Sequence, residues 1–216
     1  MKLFIIAVFV FLIGLASNGS WSDVPALADQ QSQALVKYRI VPAKSTFMVH
    51  ANRTGLAWFR GHSHRIAVRD FSGETSLALD VVNPASLQMS VRSASLEETD
   101  PVFTSRQKGI INKELNEIVL ETAKYPEISF QSTGVKGVLN NGKIEVLITG
   151  DLNLHGVTKP IEIPAIVTLE GNNLRATGEF DIDRDDFGVK ATSAFHGLVR
   201  VKNNIKFVFD IIAEKI

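Results

Sequence analysis

"NNGKIEVLITGDLNLHGVTKPIEIPAIVTLE" (140–170) decides the fold class of this chain. Asn140-Asn141-Gly142 is a hairpin signal, and two long runs of period two follow it, parted by an "HG" pair. In the first run Thr149, Asp151 and Asn153 make one polar row, so the alternate positions belong to a core. His155 follows that row into the turn. Strands with one apolar and one polar face build an antiparallel sheet buried on one side.

The same pattern extends in both directions. "ALVKYRIV" (34–41), "STFMVHANR" (45–53), "RIAVRDF" (65–71), "ETSLALDVV" (74–82), "SLQMSVRS" (86–93) and "EISFQSTGV" (127–135) precede it. "NLRATGEFDID" (173–183) and "NNIKFVFDIIAEK" (203–215) follow it. One segment leaves the period. "FTSRQKGIINKELNEIVLE" (103–121) spaces Phe103, Ile110, Ile111, Leu115, Ile118 and Val119 as a helix does, with Thr104 or Ser105 to cap it. Gly109 weakens the segment, so two short helices are an alternative. Its charged residues Arg106, Lys108, Lys113, Glu114, Glu117 and Glu121 read as a solvated face. The expectation is a single all-β domain, a barrel or sandwich with one helical excursion.

The N-terminus has a different character. Lys2 precedes the thirteen-residue apolar run "LFIIAVFVFLIGL" (3–15), shorter than a membrane span and suited to a signal peptide. Small residues at Ala26 and Ala28 place cleavage after Ala28, with Gly14-Leu15-Ala16 as the nearer alternative. The expected organisation is a signal peptide over 1–28, a lead-in over 29–36 and one domain over 37–216, with no stable membrane span after cleavage. The chain has no cysteine, which excludes disulfides, thiolate chemistry and zinc–thiolate sites. Its formal charge is zero, and losing Lys2 and Asp23 leaves the remainder neutral, a poor match for nucleic acid.

These strands in this order resemble the YceI-like family. The resemblance rests on "YRIVPAKSTFMVHA" (38–51), "DFSGETSLALD" (70–80), "AKYPEISFQS" (123–132), "ITGDLNLHGVTKPIEIP" (148–164) and "FDIDRDDFGV" (180–189). The blocks "KYPEISF" and "LHGVTKPI" are specific as a pair, and "TGLAWFRGHSHRI" (54–66) marks a variant with a G-H-x-H segment. The resemblance implies an eight-stranded lipocalin-like antiparallel barrel that holds an isoprenoid lipid, such as a polyprenyl phosphate or quinone. It also implies a bacterial periplasmic or secreted location and leaves room for a homodimer.

Within that frame Phe47, Val49, Ile66, Val68 and Phe130 are the expected ligand-facing apolar residues, with Trp58 and Phe59 flanking an opening. His62 and His64 share the parity of Ile66 and Val68, which puts them on the inward row near its end. Three roles stay open for the pair: closing the barrel end, meeting a lipid headgroup, or holding a metal with His196 as third ligand. His50 has the outward parity. Asp181, Asp183 and Asp185 have calcium-loop spacing, but Asp186 and Thr192 stand where that loop needs glycine and glutamate. With no G-x-S-x-G elbow and no glycine-rich phosphate loop, neither catalysis nor a cofactor beyond a bound lipid is expected.

Overall fold

Period two produces strands here wherever it lasts long enough to give one face to a core. The computed structural model describes residues 35–54, 62–78, 85–190, 193–194 and 199–216. Its strands are β1 (Leu35–Ile40), β2 (Thr46–Thr54), β3 (His64–Val68), β4 (Phe71–Ala78), β5 (Ala85–Arg92) and β6 (Leu96–Glu98). After the helical excursion come β7 (Glu127–Asn140), β8 (Lys143–Leu154), β9 (Val157–Glu170), β10 (Asn173–Asp183), β11 (Ser193–Ala194) and β12 (Val199–Lys215). The first strand starts inside the stretch read as a lead-in.

Six of the strands are halves of three interrupted staves. β1 and β2 both run along β12, Tyr38–Ile40 opposite Ala213–Lys215 and Thr46–Ala51 opposite Ile205–Asp210. On their other side β1 pairs with β4 and β2 with β3, and then β4 pairs with β5 and β3 with β6. Three such staves and the five strands β7, β8, β9, β10 and β12 make an eight-stranded meander, closed where β12 returns to β1 and β2. β11 only extends the rim beside β12. Closure gives every stave a paired neighbour on each side among the described residues, though β6 pairs only with β3.

Each interruption swaps the parity that faces inward. The turn Pro42–Lys44 shifts the inward row from Tyr38 and Ile40 to Phe47, Val49 and Ala51. Arg69-Asp70 shifts it from Ile66 and Val68 to Phe71, and Ser93–Ser95 from Met89 and Val91 to Leu96 and Glu98. The stretch 65–71, read as one strand, is therefore two. Ser95 stitches the break, its Oγ accepting from Asp70 N at 3.0 Å while its carbonyl accepts from Arg69 N at 3.2 Å. Close packing has its own requirement at Gly150, where a Cβ would overlap the Phe130 ring and the Gln131 carbonyl.

The helical excursion lies between β6 and β7. Helix α1 (Ser105–Glu114) starts at Thr104, which accepts from Gln107 N while Gln107 reaches back to Thr104 N, a complete capping box. Gly109 does not divide it, and the helix runs on into a π-helical turn, Leu115–Val119. Because successive staves run in opposite directions, this excursion shares a barrel end with the start of β3, the His155-Gly156 turn and the turn Arg184–Phe187. We call this the helical end. The hairpin turn Asn141-Gly142 lies at the other end.

Candidate functional site

The barrel interior holds a cavity of about 330 Å³, lined by apolar side chains from all eight staves. Ile40, Leu77, Val91, Phe130, Val146, Ile163, Phe180 and Phe207 represent one stave each. Many inward residues on β8, β9, β10 and β12 are only half-buried, among them Ile148, Ile161, Phe180, Phe207 and Phe209. Phe180 and Phe207 stack at 4.8 Å, with Phe47 tilted against Phe207 at 6.1 Å. The interior is aromatic on that side and incompletely filled.

The ionisable residues of the lining gather at the helical end, where His64, Glu114, Arg184 and Lys190 contribute to it. His64 opens β3, and its Nδ1 lies 2.7 Å from Oε2 of Glu98. The Glu98 side chain is fully buried, and its Oε1 accepts from Asp100 N at 2.7 Å and Arg65 N at 3.3 Å. The Glu98 N–H donates to Asn112 Oδ1 of α1 at 2.8 Å, tying this strand end to the helix. Burial pushes the Glu98 carboxyl up. The His64 hydrogen bond, the Asp100 N–H, the attraction of His64 and the Arg65 N–H together outweigh it, so the group sits below the usual glutamate range. Phe103 stacks on the His64 ring, centroids 5.3 Å apart and planes 13° apart.

Arg184 donates to Val189 O and to Asn203 Oδ1, each at 2.7 Å, and lies 2.9 Å from Asp185 Oδ1. Its Nε is buried and has no hydrogen-bond partner among the described residues. The aspartates nearby are held by protein donors. Asp186 accepts from Lys159 at 2.6 Å, Asp183 caps Asp185 N at 2.9 Å, Asp185 accepts from Asn203, and Asp181 accepts from Asn204 at 3.3 Å. The segment with calcium-loop spacing is a hydrogen-bonded turn.

A second histidine–glutamate contact anchors the far end of the excursion. His155 Nε2 lies 2.8 Å from Glu121 Oε2, out of hydrogen-bond alignment, and the His155 ring packs on Tyr125 at 4.2 Å. His155 and Gly156 both have positive φ, +55° and +76°, the geometry of a tight primed hairpin turn. A side chain at residue 156 would press into Tyr125.

Of the residues expected to meet a ligand, Phe47, Val49, His64, Ile66, Val68 and Phe130 line the cavity. His62 does not. It precedes β3, where period two no longer governs it, and stands exposed with its ring edge-on to Phe103 at 5.4 Å. Trp58, Phe59 and His196 lie outside the described residues. His50 takes the outer row opposite Arg65 and Lys206. Among the described residues no three His, Asp or Glu side chains cluster as metal ligands. Glu98, Glu114, Arg184 and Lys190 were not singled out as site residues by the sequence. Glu114 is exposed, as its place on the solvated face implies, and it also borders the cavity, while Glu121 of the same set touches His155.

Comparison with known proteins places this geometry. A protein of Pseudomonas savastanoi pv. phaseolicola described as a UPF0312 protein is 36% identical over 131 residues, 56% of this chain and 62% of the relative. Protein YceI of Escherichia coli O6:H1 is 34% identical over 119 residues, 55% of this chain and 54% of that one. The chain thus spans about three fifths of the Pseudomonas relative it matches. Among solved structures, Burkholderia cenocepacia BcnA superposes with a TM-score of 0.63 at 19% identity, over 80% of this chain and 98% of its own. A polyisoprenoid binding domain from Saccharophagus degradans, implicated in plant cell wall breakdown, gives 0.58 at 14% identity, over 83% and 98%. Both share the barrel fold. Residues 38–213 match the YceI-like domain, and the chain belongs to that family.

Proposed function

We propose that this protein is an exported binding protein that sequesters or carries an isoprenoid lipid, a polyprenyl phosphate or a quinone, in the barrel cavity. One observation carries the reading: inward aromatic and aliphatic side chains such as Phe180, Phe207, Phe209 and Ile161 stay half-uncovered inside a closed barrel. Apolar surface left unburied in an interior is stabilised by an apolar occupant, at about 0.8 kcal/mol per buried CH₂. The description of the Saccharophagus domain as polyisoprenoid binding supports the choice of lipid. Cleavage after Ala28 would release the barrel to the periplasm or the medium.

Native mass spectrometry tests this on protein recovered from its exporting cell without detergent. The expected result is an adduct of several hundred daltons that extracts into organic solvent. Bare protein that also fails to take up a long-chain isoprenoid alcohol added to saturation would sink the proposal.

A further inference from the structure

We infer that His64, oriented by Glu98, is the group that meets the ligand's polar head, and that the head it selects carries a hydroxyl, as an isoprenoid alcohol or a hydroquinone does. The inference rests on the cavity reading above and narrows its head to one that donates, which favours the reduced hydroquinone or free alcohol over the quinone itself.

The geometry is that of a fixed imidazole. Glu98 is buried and accepts from two backbone N–H groups through Oε1, so its Oε2 is left to take the Nδ1 proton of His64 at 2.7 Å. A carboxylate on Nδ1 sets the tautomer: in the neutral ring Nε2 carries the lone pair and accepts. Phe103 lies flat against one face of the ring and fixes its plane. His64 belongs to the cavity lining, and with Nδ1 taken by Glu98 its Nε2 is the ring atom left for a head. An acceptor held there discriminates between heads that donate and heads that cannot, because a head without a proton to give displaces water from Nε2 and leaves it unpaired. An ether or ester of the same chain has no proton to give.

The test uses two probes with one tail, geranylgeraniol and its methyl ether, titrated at pH 8 into the protein lacking residues 1–28 and stripped of lipid. The expected result is a preference of roughly tenfold for the alcohol, the worth of one buried hydrogen bond. In His64→Ala the ratio falls to about one, and the ether titration in the same variant, with its thermal melt, reports that the barrel is folded. Glu98→Gln tests positioning. Its imidazole ¹⁵N shifts should show loss of the single Nδ1–H tautomer, together with a reduced ratio. Equal affinity of the native protein for both probes, or a preference that survives in His64→Ala, would overturn the inference and leave the cavity reading standing. Failure of both probes to bind would overturn the two together.

Discussion

Glu98 shows how a single residue can hold a site together and escape notice in the sequence. Carried on from Val91, the alternation would place Glu98 outside; the turn Ser93–Ser95 reverses the parity and puts it in the interior. Its partner His64 was legible because Ile66 and Val68 mark its row, but 34 residues separate the two and only the β3–β6 pairing joins them. The pairing has a pH signature. The folded Glu98 titrates below its unfolded value of about 4.3, so its contribution is complete above that value and disappears as pH falls through the folded one. Glu98→Gln should cost about 2 kcal/mol at pH 7, the scale of a charge-assisted hydrogen bond. It should also flatten the acid limb of the stability curve below about pH 4.5. Urea unfolding of both proteins between pH 7 and 3 measures this; parallel acid limbs would show that Glu98 titrates alike in the folded and unfolded chain. Gly150 makes a separate demand. Gly150→Ala drives a methyl into the Phe130 ring and the Gln131 carbonyl, and should destabilise by about 1–3 kcal/mol in the same assay.

At the scale of elements, the long strands and the break at Pro42 were readable, and the breaks in the next two staves were not. β8, β9 and β10 keep one parity over most of their length, so the ends of β9 and β10 fall within a residue of the runs in the sequence. β8 stops two residues before its run does, at the His155-Gly156 turn. The first three staves change parity midway, and period two carries no signal for a break that conserves strand direction. The helical segment was legible through its spacing and its cap. Its π-helical turn was not, since it depends on seating Leu115 and Leu120 in the barrel mouth. The paired blocks "KYPEISF" and "LHGVTKPI" acquire a physical reason here, because Tyr125 of one packs on His155 and Gly156 of the other. Helix α1 itself fully buries none of its residues and is held by its ends and by polar ties, Asn112 to Glu98 and Lys108 Nζ to Thr99 O at 2.9 Å. Its cap should therefore matter locally. Thr104→Ala removes the capping box, costs about 1 kcal/mol and should speed amide exchange over 105–114 about fivefold. Protection in β7–β10 should stay as it was; a uniform loss across the barrel would mean that the helix is part of the global folding unit.

For the whole molecule, the alternation that specifies a barrel is silent on whether the barrel is full. Inward apolar rows fold equally well around a packed core or around a space, and the difference lies in how the rows from opposite walls meet. Here the wall of β1 to β4 is closed by Tyr38, Ile40 and Phe71, all buried, while the wall of β8 to β12 leaves its phenylalanines half-covered. Ala176 sits on that second wall, inward on β10 between Val167 of β9 and Ile211 of β12. Enlarging it distinguishes the two cases. In a packed interior Ala176→Phe would cost about 1–3 kcal/mol through overpacking. In this barrel the new ring has the cavity to enter, so urea unfolding of the lipid-free protein should change by less than about 1 kcal/mol. The same ring occupies the space an apolar chain needs, and affinity for geranylgeraniol should fall at least about tenfold, matching the loss of two or so buried methylenes. Stability kept and binding lost is the signature of a hollow barrel whose occupant is the ligand. Stability lost by the full overpacking cost would mean that the walls already meet, and the cavity would then have no room for a lipid.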